Sequence, residues 1–270
     1  MKSCDILVLR DTFTNDPKKI NFDMAELFGH HRINVDTQSN EISLSGYKLS
    51  FDSSPPSVKY SRSAGAESLA QTNIMSDKEQ VVIGVFPIPP IYTPQPVARD
   101  LYLRFKLPIV VDQRSEVVVY AQMPIEIGVF RQSEDEELLI DAFSLAAQQY
   151  ALYGSPENGV VCRYMETEVG DTKEKVELKK YQEALVRIRI RNDIDNIVKV
   201  SKVIIPMYGI ILDHAHDEVW LPGSVEMVLD SAFGKDIVNV RLIDAKVKRP
   251  DKTSLLKKEE TRTFLMDAGY

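Results

Sequence analysis

The segment LDHAHDE sets Asp213, His214, His216 and Asp217 close together, the only histidine cluster in the chain besides His30 and His31. On an extended strand His214 and His216 share a side and could both reach a divalent metal, since imidazole suits zinc, copper, iron or nickel. Two ligands do not complete a site, and an acidic hairpin tip is the simpler reading of the same residues. The adjacent His30 and His31 point apart on a strand.

Cys162 stands beside Arg163, and a nearby cation lowers a thiol pKa toward nucleophilic use. Adjacent residues on a strand face opposite sides, however, and no histidine is near in sequence, so a buried structural cysteine is the simpler expectation. Glu126 sits between Ile125 and Ile127 in a strand-like run. If buried, its carboxylate needs a partner, and Arg163 or a neighbouring arginine is the candidate.

Arg187, Arg189 and Arg191 alternate with Val186, Ile188 and Ile190, which places three cations on one strand face. That face could hold an anionic ligand or an acidic partner; a solvated face paired with the acidic run at residues 134–137 is the blander reading. Glu157, in the turn of YALYGSPENGVVCRY (residues 150–164, Tyr150 and Tyr164 at its ends), joins Glu126, Arg163 and the three arginines as a candidate ligand-binding residue. No catalytic residue is assigned, because serine elbows, P-loops, G-x-G-x-x-G runs and C-x-x-C pairs are all absent.

Composition narrows the function classes. A formal net charge of -7 and a pI near 5.3 remove the electrostatic term behind most non-specific nucleic-acid affinity, so nucleic acid is not an expected partner. The longest apolar run, residues 203–212, is broken by Pro206 and falls far short of a membrane span. Residues 6–9 are too short an apolar run for a secretory leader, so the expected address is the cytoplasm, where Cys4 and Cys162 remain thiols.

Around the candidate residues the chain reads as strands. NEISLSGYKLSF (40–51) alternates on both sides of Gly46 and predicts a hairpin, SSPPS breaks it off, and residues 62–77 read as a polar surface loop. Residues 4–10 read as a strand and FDMAELF (22–28) as a turn or short helix. Residues 81–86 predict a strand that runs into a proline-rich crossover, through Pro87, Pro89, Pro90, Pro94 and Pro96. Leu101, Leu103, Phe105 and Leu107 should share a core face, and valine-rich strands follow at 116–122 and 125–131.

Ser133 and Glu136 have capping-box spacing, and Leu138, Ala142, Leu145, Gln149 and Leu152 fit one helical face. The spacing predicts a helix over 136–152, with LLIDAFSL readable as a strand instead. A turn at 154–159 and strands at 159–168, 186–191, 199–205, 207–212, 225–229 and 237–243 follow. The fold class expected is mainly β, an antiparallel β-sandwich of two packed β sets with one or two short helices. It divides into an N-terminal β-rich region (1–135), a junction (136–177, its charged end marking the boundary) and a C-terminal β-rich region (178–270).

PIPPIYTPQP, MPIEIGVF, LIDAFSL and YALYGSPENGVVCRY, in that order, resemble an archaeal family catalogued as a domain of unknown function. The likeness covers most of the chain and implies an archaeal, intracellular protein with no assigned activity, so it carries over no functional residues. With no catalytic constellation in view, the function expected is a non-enzymatic, soluble β-sandwich binding or assembly module with a protein partner or a second copy of itself. The alternative is an enzyme or metal-dependent ligand binder that uses residues 150–164 or the His214/His216 pair. No cofactor is indicated beyond a divalent metal at those histidines, and no membrane insertion is expected.

Overall fold

Short alternating runs punctuated by glycine, proline and asparagine make strands of most of the chain. The computed structural model describes residues 27–35, 40–93, 98–133, 136–232, 235–247 and 262–265. In order they form β1 (Gly29–Asn34), β2 (Asn40–Leu44), β3 (Tyr47–Ser54), β4 (Ser57–Ala64), β5 (Glu67–Met75), β6 (Gln80–Ile88) and β7 (Asp100–Val111). Next come β8 (Ser115–Pro124), β9 (Glu126–Gln132), β10 (Glu137–Phe143), β11 (Tyr150–Tyr153), β12 (Val160–Thr167), β13 (Val169–Gly170) and β14 (Glu183–Asn192). The last are β15 (Val198–Pro206), β16 (Asp213–Ala215), β17 (Glu218–Trp220), β18 (Ser224–Ala232), β19 (Lys235–Ile243) and β20 (Arg262–Leu265). The helical content among the described residues is one 3-10 turn, Lys173–Lys175, where one or two short helices were expected. No helix there is long and apolar enough to cross a membrane.

Backbone contacts divide the chain into two compact units, one of residues 1–25 and 33–81 and the other of residues 26–32 and 82–270. The charged connection at 169–180 lies inside the second. The expected strand at 4–10, Cys4, most of FDMAELF, Pro94, Pro96, Glu134 and Asp135 fall outside the described residues.

The first unit holds the antiparallel meander β2-β3-β4-β5. Its hairpin at 40–51 forms as the alternation requires, and Leu44, Leu49, Phe51, Val58, Tyr60 and Ile74 bury one face. The loop expected at 62–77 is instead the end of β4 and all of β5. Only Ile74 of β5 is buried, so backbone pairing with β4 makes this strand where side-chain patterning gives no signal.

The second unit holds three sheets, ordered β1-β6-β9-β10, β11-β12-β7-β15, and β13-β8-β14-β18-β19-β20 with the β16–β17 hairpin joined to β14. Pairing is mainly antiparallel, with parallel ladders at β7–β12, β14–β17 and β14–β18. Val186, Ile188 and Ile190 of β14 are buried, as the alternation predicts, beside Val119, Ala121, Val225 and Met227. Each such aliphatic side chain contributes roughly 1.5–3 kcal/mol by leaving water. Leu101, Leu103 and Phe105 are buried too, but Leu107 is 77% exposed. The β12 ladder covers β7 only from Leu101 to Phe105, and the β15 register shifts between Val200 and Lys202, so alternation outlasts its cover.

The helix expected over 136–152 is two strands, β10 paired with β9 and β11 with β12. Leu138 and Leu152, which should have anchored a helical stripe, are exposed. The capping-box residues form local bonds of another kind: Glu136 N donates to Ser133 Oγ at 3.1 Å and Ser133 N to Glu136 O at 2.8 Å, closing a turn between β9 and β10. Residues 207–212 are likewise not a strand. Pro206 ends β15, and Ile210 keeps only an isolated bridge to Val247.

Candidate functional site

Two short stretches build the floor of the candidate site. Ile83-Gly84-Val85-Phe86 on β6 and Ile127-Gly128-Val129-Phe130 on β9 have the same sequence and pair antiparallel about Val85 and Val129, so that Gly84 faces Phe130 and Phe86 faces Gly128. Each phenylalanine ring lies over the glycine two positions before it. A Cβ at Gly84 would stand 2.5 Å from Phe86 Cε2, and one at Gly128 would stand 2.6 Å from Phe130 Cε2. The ring centroids are 6.1 Å apart. Both rings line a groove of about 760 Å³, a volume within the range of small-molecule sites.

Proline and aromatic residues shape the walls. On one side Pro87, Ile88, Pro89 and Tyr92 continue from β6, and on the other lies residues 208–214. Met207 N donates to Arg99 O and Ile211 N to Lys246 O, while the Arg99 guanidinium stacks 5.4 Å from the Tyr208 ring. Glu137 and Asp213 are the charged lining residues, and Lys246 Nζ holds both Asp213 oxygens at 2.7 Å.

His214 belongs to this wall. Its ring lies 5.4 Å from Phe28 and 5.9 Å from Phe86, in an aromatic row that also takes in His30 and Tyr181. His216 sits at φ +52 in the two-residue tip between β16 and β17, so strand alternation does not carry through to it and the two imidazoles do not share a strand face. Asp217 beside it is taken up by Lys180 and by the Tyr181 hydroxyl. Among the described residues no group of three or more His, Cys, Asp or Glu is placed to hold a metal.

Behind the Tyr92 wall lies a buried polar centre. Glu126, the first residue of β9, is 0% exposed, and its Oε2 accepts the backbone N–H of Tyr92 at 2.9 Å and of Thr93 at 3.2 Å. Arg163 comes from β12, is 1% exposed, and lies under the ring of its cross-strand neighbour Tyr150. Tyr150 in turn donates its hydroxyl to Thr93 O at 2.9 Å, and Gln148 donates to Thr93 Oγ1.

Glu126 and Arg163 influence each other through space. Among the described residues Glu126 Oε1 and Arg163 Nε and Nη1 have no hydrogen-bond partner. Burial raises the Glu126 carboxyl above its ordinary pKa, opposed by the Tyr92 and Thr93 donors and by Arg163. Burial also lowers the Arg163 guanidinium, opposed by Tyr150 and Glu126. Tyr92 is pushed up by burial, with Tyr208 and Glu126 adding to the shift.

The other candidates lie elsewhere. Glu157 is exposed in the turn after β11. Cys162 is buried on the face of β12 opposite Arg163, its thiol 3.5 Å from Val160 O. In a Cys4→Ser background, Cys162 is expected to resist a thiol reagent such as DTNB until the protein unfolds; fast labelling of the native protein would show an accessible nucleophile. Arg189 pairs with Glu116, Arg191 with Asp193 and Glu226, and Arg241 also reaches Glu226. The ladder is therefore tied mainly to carboxylates on neighbouring strands and the adjoining turn. Arg187, opposite Tyr120, has no ion pair among the described residues.

The sequence singles out His214, which lines the groove, and Glu126 and Arg163 behind its Tyr92 wall, but not the groove itself. The signal was present as the repeated tetrapeptide IGVF, whose meaning depends on the two copies pairing with each other.

Residues 27–267 match the family described as Protein of unknown function (DUF432), and the chain belongs to that family. No curated protein and no solved structure matches the chain.

Proposed function

We propose that this member of the DUF432 family is a non-enzymatic binding protein whose ligand is a neutral small molecule carrying an aromatic ring. The observation that carries the reading is the aromatic groove: Phe86, Phe130, Tyr92 and Tyr208 line a space of about 760 Å³. Aromatic pairs are stabilised beyond simple area burial, by about 0.5–1.5 kcal/mol each. Charge then limits the ligand. Among the described residues the charged lining groups are the carboxylates of Glu137 and Asp213, the latter held by Lys246, and no lysine or arginine lines the groove to receive an anion. Two cysteines in 270 residues fit a reducing compartment, and the cytoplasm is the location we assign.

N-phenyl-1-naphthylamine, which is neutral and fluoresces when shielded from water, tests the reading. It should bind saturably with one site per chain, and more tightly than its sulfonated analogue 8-anilinonaphthalene-1-sulfonate. Tyr208→Ala is the informative variant, because Tyr208 is 59% exposed and its loss leaves the core intact. Removing one ring face should weaken binding about tenfold, equivalent to about 1.4 kcal/mol. Non-saturable uptake, or an affinity unchanged by Tyr208→Ala, would remove the groove as the site.

A further inference from the structure

The geometry points to Glu126 as the positioning residue of the groove, its buried carboxylate fixing the Tyr92 wall with Arg163 as counter-charge. This rests on the groove reading for its binding consequence, whereas the anchoring itself can be measured separately.

Three observations converge on it. One carboxylate oxygen receives two consecutive backbone N–H groups, from Tyr92 and Thr93. Bonds to an ionised acceptor are roughly twice as strong as neutral ones and are directional, and Tyr92 is the residue of that pair that lines the groove. The strand that Glu126 begins also delivers Phe130 to the floor, so one residue relates floor to wall. Finally, Thr93 is held again by Tyr150 and Gln148, and Tyr150 packs on Arg163, so the wall is tied both to β9 and to the β11–β12 pair.

Packing alone does not call for these charges. Replacing a buried ion couple by apolar side chains of similar volume is often neutral or stabilising, whereas removing one partner strands the other. A carboxylate here supplies what methionine cannot, an acceptor for the wall's backbone. Arg163 touches neither the groove lining nor the wall's N–H groups, and acts through Glu126.

The test compares E126M/R163M with E126Q, reading thermal stability, N-phenyl-1-naphthylamine affinity, and hydrogen exchange at the Tyr92 and Thr93 amides. E126M/R163M should melt close to the wild type, exchange those two amides at least about tenfold faster with Val85 and Val129 unchanged, and bind the probe about tenfold more weakly. E126Q keeps an acceptor oxygen and should restore both readouts. A folded E126M/R163M with wild-type exchange and affinity would overturn the assignment. So would Tyr92 and Thr93 amides that already exchange in the wild type as fast as exposed loop amides, which decides the matter even if the double variant fails to fold. Wild-type protein that ignores the probe while E126M/R163M still loosens the two amides would sink the groove reading and leave the anchor standing.

Discussion

Glu126→Ala is expected to destabilise the second unit by about 1–3 kcal/mol, the usual cost of leaving buried hydrogen-bonding groups without their partner. The change leaves the Tyr92 and Thr93 N–H groups without their acceptor and leaves Arg163, 1% exposed, without its counter-charge. Urea unfolding read on the second unit's transition measures it. A loss below about 1 kcal/mol would place Glu126 among ordinary surface residues. The pH dependence has a definite sign. Burial holds the Glu126 carboxyl above its ordinary value of 4.5, so the folded protein keeps a proton that the unfolded chain releases. Wild-type stability from this group therefore falls as pH rises from 4.5 through the raised folded value, and stays lower beyond it. Glutamine cannot ionise. The difference in stability, Glu126→Gln minus wild type, should be larger at pH 7 than near pH 4, and a gap that is constant or shrinks toward pH 7 would contradict the burial argument.

Gly223→Ala should cost about 2–5 kcal/mol, combining a left-handed backbone penalty with overpacking. Gly223 lies just before β18 at φ +77, and a Cβ there would come 2.0 Å from Ile243 O and 2.7 Å from the Asp244 carbonyl carbon. Both contacts are backbone, so no rotamer change relieves them. The chain would have to move where β18 and β19 begin and end their shared ladder, next to the Ser224–Ile243 pair. Denaturant midpoints with far-ultraviolet circular dichroism would show the loss; an alanine variant as stable as the wild type would mean that the strand ends relax freely.

Much of the strand content was legible because period-two alternation needs only local sequence. The hairpin at 40–51 and the buried Val186, Ile188 and Ile190 follow from it, and the turn at 154–159 from its glycine, proline and asparagine residues. Where cover or pairing decided the outcome, local reading failed. Leu107 keeps the phase of Leu101 and Phe105 yet faces water where the β15 register shifts opposite it. Ser133 and Glu136 make local bonds at the expected spacing, but in a strand turn, because β9 offers β10 a partner. β5 carries almost no buried side chain and exists through its ladder to β4.

The sequence by itself determined that the protein is mainly β, that Cys162 and Arg163 face opposite ways, and that a carboxylate at Glu126 among isoleucines would require a polar partner. These follow from side-chain period and from the cost of burying charge. Tertiary structure alone decided which partner and to what end. It set Arg163 of β12 near Glu126 of β9, turned His214 into an aromatic wall while His216 went to a hairpin tip, and paired the two IGVF copies into a groove floor. Strand alternation says which side of its own sheet a residue faces. Which other sheet meets that side depends on pairings between residues distant in sequence, and these form only when the whole chain folds.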